Sequence, residues 1–295
     1  MSKMANPTEI RHHIGAVEQT RKITHAMEMV SSNRMRKVMS HIEHNQAYFD
    51  SVQRMMKEIL DADVGIAHPY MQEHTGGHCT FIVISGDKGM CGAYNSNVLD
   101  FARKRIEACP RHSIITIGHT AEDYFNRNNM WPDISLFGIA QHPTIHRARE
   151  LAREVISIFD SDLTDEIHVI FTSFYGETKG TPVERRLLPI LLADYSDIRD
   201  TEKLSEIIYT PSPRVVFDML IPQYVIGILF GVMVQAYASE HFARMNAMNS
   251  ATSNAQDMLK ELTTKYNLAR QSTITNEIAE ITGAAEILKG DGSVV

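Results

Sequence analysis

Apolar residues recur at helical spacing near both ends of the chain and gather into short strand-like runs between them. Toward the N-terminus, Ile10, Ile14, Val17, Ile23, Met27, Val30, Met35, Val38, Ile42, Phe49, Val52, Met56 and Ile59 form a narrow stripe of steps of mostly three and four. Arg21 and Arg34 interrupt it, so this helix is not expected deep in a core. Asn6 or Thr8 suits the N-cap, with Pro7 in the first turn and Glu9 close behind. The helix should end before Gly65–Pro69. Toward the C-terminus, Ala255, Leu259, Leu262, Tyr266 and Ala269 follow a 4-3-4-3 spacing, a heptad seam. Ile274, Ile278, Ile281, Ala285 and Leu288 resume it after a one-residue slip, which lets a nearly straight helix keep its seam toward a partner. Pro222, Gly227 and Gly231 predict a kink or break where this region begins.

The pattern changes in the middle. Phe81–Ser85, Ser113–Ile117 and Ile167–Ser173 are short runs rich in β-branched or aromatic residues, and Ile134–Ile139 reads as a further strand. Pro182–Ile190 reads as an edge strand because of its prolines. Helical stretches near Ser96–Ala108 and His146–Phe159 alternate with them, which implies a small, mostly parallel sheet covered by helices. The fold class expected is therefore α/β: a long antiparallel coiled coil of N- and C-terminal helices plus a small Rossmann-like domain. Its bounds are 1–65 for the first helix, 77–206 for the domain and 212–288 for the returning helix.

Glycine and proline strengthen the long-helix reading. Neither residue occurs between Gly15 and Gly65, nor between Gly231 and Gly283. Each gap of about fifty residues would span roughly 75 Å as a helix. The net charge is −7, yet residues 1–40 carry seven Lys/Arg against three Asp/Glu, a local +4. An acidic chain with one basic segment is a poor nucleic-acid binder, so the basic helix is expected to meet an acidic protein surface. The most apolar window, Val225–Val234, is too short to span a bilayer, and the polar N-terminus does not read as a secretory signal. Three cysteines without CxxC suggest neither a disulfide framework nor a thiolate zinc site.

Candidate chemistry is sparse. Gly86-Asp87-Lys88-Gly89-Met90-Cys91-Gly92 lies between a strand and a helix, where phosphate loops sit, but its GxxGxxG spacing matches neither common phosphate motif. A structural turn is the better reading. Cys91 has no nearby histidine to make it a nucleophile. His142 and His146 are separated by Pro143, and His41 with His44 lacks a third ligand, so no metal is expected among the 14 histidines. No GxSxG motif and no recognisable pair of hydrolytic carboxylates is present, and no cofactor is implied. Methionines crowd both long helices, as coiled-coil filling or as an adaptable surface that slides past changing neighbours.

Several segments resemble one family. The run Thr20–Arg36 (TRKITHAMEMVSSNRMR) resembles the N-terminal helix of the gamma subunit of F-type ATP synthases. Ser239-Glu240, Ala243-Arg244-Met245, Arg270-Gln271, Ile274-Thr275 and Glu280-Ile281 resemble its C-terminal helix. Asp87–Gly92 with Asn95 is similar to the loop after the first strand of its central domain. The chain departs from the family pattern at His25, Ser31, Ser32, Met90 and Thr210, and residues 131–206 show little that matches.

The resemblance implies a noncatalytic rotor, the central stalk that couples ion flow through a membrane ring to ATP synthesis or hydrolysis in an alpha/beta hexamer. It implies that Arg270, Gln271 and Thr275 form a catch with a beta-subunit loop, and that Met27 and Arg244 are shaft-swivel positions. Lys22, Arg34, Arg36 and Lys37 would face acidic beta-subunit loops. Asp87, Lys88, Gly89 and Tyr209 would belong to the foot, near the c-ring and the epsilon subunit. The implied location is peripheral, on the cytoplasmic face of a bacterial inner membrane. Two other classes stay open on the residues alone: a nucleotide-binding α/β protein with a coiled-coil oligomerisation arm, and a coiled-coil scaffold.

Overall fold

The computed structural model describes residues 6–61, 68–72, 76–139, 141–174, 179–191, 210 and 212–290. Helix α1 (Pro7–Asp61) opens on the expected cap: Asn6 Oδ1 accepts the Thr8 amide at 3.0 Å, ahead of proline at the first helical position. The central elements follow as β1 (His78–Ile84), α2 (Tyr94–Glu107), β2 (Arg111–Ile117), α3 (His119–Arg127), β3 (Ile134–Leu136), α4 (Ile145–Asp160), β4 (Glu166–Thr172) and β5 (Pro182–Leu188). Helix α5 (Pro213–Gly290) closes the chain. The chain divides into two compact units, residues 31–246 and the paired terminal segments 1–30 and 247–295.

In the larger unit the strands form one sheet in the order β3-β2-β1-β4-β5. All neighbours are parallel except β4 and β5, and β5, with Pro182 at its start, is the edge strand the prolines predicted. The two-residue period of the strands splits the core in two. Phe81, Val83, Ile114 and Ile170 face α2 and α3, where Val98, Leu99, Ala102, Ile106 and Phe125 are buried. Ile82, Ile84, Ile115, Ile117 and Val169 face the larger core with α4, part of α5 and Val38, Val52 and Met56 of α1.

Two expectations change here. Helix α5 does not break at Pro222 but continues through it. A proline inside a helix costs about 3 kcal/mol. Around it Phe217, Ile221, Tyr224, Val225 and Leu229 are all buried, each worth ~1.5–3 kcal/mol, so packing outweighs the lost hydrogen bond. The apolar stretch of α5 is also longer than Val225–Val234: an 18-residue window of this helix is long and apolar enough to cross a membrane. Just over half of that window is buried, its residues joining the larger core of the sheet, as in the core helix of a globular unit.

In the smaller unit, Ile10, Ile14 and Val17 pack against Ala255, Leu259, Leu262, Tyr266 and Ala269, the heptad seam read from the spacing. Thr24 Oγ1 meets Thr252 Oγ1 at 2.8 Å, while Pro7 and Ile10 lie beside Ala269 and Thr273, so these segments run antiparallel. Beyond them the slipped repeat turns outward: Ile274, Ile278 and Ile281 are 42%, 59% and 70% exposed.

Candidate functional site

The loop that follows β1 sits where the strand order reverses, with β2 on one side of β1 and β4 on the other. Such crevices commonly hold ligands in open α/β sheets. Here α5 fills it. Arg244 Nη2 donates to Glu240 Oε1 at 2.6 Å and to the carbonyls of Lys88 and Gly89 at 3.3 and 3.1 Å. Asn95 of α2 completes the knot: its Oδ1 accepts the Gly86 amide at 2.9 Å, and its Nδ2 donates to the Lys88 carbonyl at 3.4 Å. Glycine suits this closeness: a Cβ at position 86 would lie 3.0 Å from Glu240 Cδ and 3.1 Å from its Oε1, so the ion-paired Glu240 side chain would have to give way. A carboxylate is packed against the loop and the Gly86 amide is already bonded. That opposes a phosphate cradle, and with it the nucleotide-binding reading.

Neighbouring bonds tie the same stretch of α5 to the start of α2 and the end of β4. Tyr94 Oη donates to the Ala236 carbonyl at 3.1 Å, and Ser239 Oγ lies 3.1 Å from the carbonyls of Thr172 and Ser173. Burial raises the Glu240 carboxyl above its ordinary range, against the pull of Arg244. His241, next along the helix, is pushed down to about 4 by burial and then by the Arg244 and Arg34 charges. The cluster is a fixed, desolvated junction rather than a reactive site.

The predicted residues distribute unevenly around this junction. Arg244, expected as a swivel contact of the shaft, is buried and joined to Lys88 and Gly89, expected in the foot. Asp87, partly exposed, is engaged within the chain as well. Its Oδ1 accepts the His119 amide and its Oδ2 the Gln141 side chain, both at 2.9 Å, so it caps α3, whose N-cap Gly118 has no side chain to offer. Arg270, Gln271 and Thr275 are exposed, with Thr275 Oγ1 bonded back to the Gln271 carbonyl at 2.9 Å. Lys22, Arg34, Arg36 and Lys37 are exposed, and Met27 is half-buried. At about 100° per residue, Arg34 and Lys37 share a side of α1 while Arg36 falls on the other, so these charges do not form one stripe. Tyr209 lies outside the described residues. Glu240 and Asn95 are the functional residues of the junction that the sequence does not single out. The readable signal for Glu240 was its place four residues before Arg244 on a helix.

Comparison with known proteins now decides the family. A family profile described as ATP synthase matches residues 6–288. The ATP synthase gamma chain of Symbiobacterium thermophilum is 35% identical over 97% of this chain and 99% of its own length. That of Acetivibrio thermocellus is 33% identical over 97% of this chain and all of its own length. The chain belongs to the ATP synthase gamma-chain family. A gamma chain is a noncatalytic subunit of that enzyme, in keeping with the junction just described. The fold is similar to that of a chain in the Euglena gracilis mitochondrial ATP synthase OSCP/F1/c-ring structure, with a TM-score of 0.70 at 15% identity over 98% of this gamma chain and 96% of that chain.

A second polar cluster of this gamma chain lies on the α2 side of the sheet. His168 Nε2 is 2.8 Å from Glu166 Oε2 and its Nδ1 is 2.8 Å from Glu184 Oε1, while Arg105 of α2 donates to Glu184. Burial alone would lower the His168 pKa, but Glu184 and Glu166 together raise it. Burial likewise opposes ionisation of Glu184, yet His168 and Arg105 prevail and hold its pKa at about 2. Burial, then the neighbouring Cys109 thiol, pushes Cys79 up to about 12.

Proposed function

We propose that this gamma chain is the central-stalk rotor of an F-type ATP synthase, coupling ion flow through the c-ring to catalysis in the alpha/beta hexamer. The observation that carries the reading is a family match running from residue 6 to residue 288, across both long helices and the sheet between them. Partners on this reading are the alpha and beta subunits, the epsilon subunit and the c-ring, with no nucleic acid. The location is peripheral, at the cytoplasmic face of a bacterial inner membrane.

The physical features support it. A torque-bearing element needs stiffness, and α1 and α5 run for 55 and 78 residues. The exposed Ile274, Ile278 and Ile281 suit an apolar sleeve, and the exposed Arg270, Gln271 and Thr275 suit a catch. Exposed polar contacts are worth under about 1 kcal/mol each, so they break and reform at every step. The buried Arg244–Glu240 knot is the opposite kind of contact, one that keeps α5 fixed to the β1 loop while load passes through.

The test is a reversible disulfide between Arg270→Cys and a facing beta-subunit cysteine in the assembled complex. Oxidation should stop ATP-driven turnover and reduction should restore it. Full turnover in the cross-linked complex would rule out rigid rotation of this segment.

A further inference from the structure

The cluster on the α2 side of the sheet has the donor set of a metal centre. Cys79 and Glu166 are paired across β1 and β4, and His168 follows two residues later on the same face, beside Phe81. One ligand atom from each of Cys79, Glu166 and His168 lies within 4.8 Å of the other two. Tetrahedral zinc, with bonds of about 2.0–2.3 Å, needs ligand atoms roughly 3.3–3.8 Å apart. Small side-chain rotations close that gap.

We propose that Cys79, Glu166 and His168 form a binding site for one Zn2+ ion, with solvent in the fourth position. Thiolate and imidazole ligands select zinc over magnesium or calcium, which prefer oxygen. The outer shell is already in place. Glu184 accepts from the Nδ1 side of His168, and Arg105 holds Glu184 in turn, so the ring is oriented with Nε2 toward the other ligands. Zinc replaces the 2.8 Å contact between His168 Nε2 and Glu166, and the Cys79 thiol proton leaves to solvent. The ion would clamp β1 and β4 together, a structural role away from the junction with α5.

Full-length chain, reduced and stripped of metal, is titrated with Zn2+ against a chromophoric chelator. One equivalent should bind. Cys79→Ser and His168→Gln should each lose about tenfold or more in affinity, and Glu184→Gln about 10–100-fold. Co2+ in place of zinc should give a thiolate charge-transfer band that Cys79→Ser abolishes. Circular dichroism on each variant verifies folding, and Cys91→Ser serves as the control that keeps full affinity. Failure of the chain to compete for Zn2+, or equal affinity in Cys79→Ser and His168→Gln, would overturn the site.

Discussion

The Arg244–Glu240 pair couples the largest number of consequences to single atoms. Both side chains are about one-tenth exposed, at 10% and 11%, and meet at 2.6 Å. Removing one partner of such a pair leaves a charge buried without compensation. Arg244→Ala should cost about 3–5 kcal/mol of unfolding free energy in a urea titration. The double variant Arg244→Ala/Glu240→Ala should cost less than the two singles added, by ~0.5–3 kcal/mol. Strict additivity would mean that the two do not act as a pair. The histidines give a pH signature. His241 is held at about 4, so the native chain refuses a proton that the unfolded chain takes below its ordinary 6.5, and stability falls as pH drops through that window. His168 is raised, so its contribution is complete below 6.5 and is lost as pH climbs through its raised value. Melting temperatures should therefore decline on both sides of neutrality. His241→Gln should flatten the acid limb and His168→Gln the alkaline limb; unchanged limbs would refute the assignment. Neither histidine was legible as special among 14. His168 owes its environment to Glu184 and Arg105, which are distant in sequence and meet only when the sheet forms. For the same reason, no spacing motif marks Cys79, Glu166 and His168.

Elements were read more faithfully than sites, because periodicity is a local property. The heptad positions from Ala255 to Ala269 are the residues that pack, and the edge strand at Pro182 is an edge. The nine-residue α3 was too short to show a helical period, and its N-terminus depends on Asp87 from another loop. Pro222 misled because propensity is local, whereas the burial that overrides it is tertiary. The two halves of α5 should answer differently to the same truncation. Leu229 is fully buried in the large core, so Leu229→Ala should lower global stability by about 2–5 kcal/mol. Leu262 sits at 9% exposure in a seam only two helices thick. Leu262→Ala should chiefly speed hydrogen exchange of amides near Ile10–Val17, with a smaller change in the global transition. Equal global losses would show that the seam and the sheet core unfold as one.

At the scale of the whole chain, charge asymmetry is the feature that folding leaves unexplained. The chain carries −7 overall, while its first forty residues carry +4. The structure leaves Lys22, Arg36 and Lys37 exposed, and the ion pair of Lys22 with Glu18, at 3.9 Å, is too loose and too wet to absorb its charge. Arg34 is different, since its charge acts on the buried His241. It is best left intact in a test of surface charge. Replacing the other three by glutamine takes the chain to −10 without touching a buried group. If these cations steer the chain onto an acidic partner surface, the triple variant should assemble with alpha and beta subunits about tenfold more slowly at low ionic strength. The difference should shrink as salt shortens the Debye length from ~10 Å at 0.1 M to ~3 Å at 1 M. Stopped-flow assembly across a salt series reads both effects, with melting temperature as the check on folding. Equal rates at low salt would remove steering from the account and leave the basic residues as an ordinary solvated surface. A rate gap that persisted at 1 M would instead assign them to direct contacts formed within the complex.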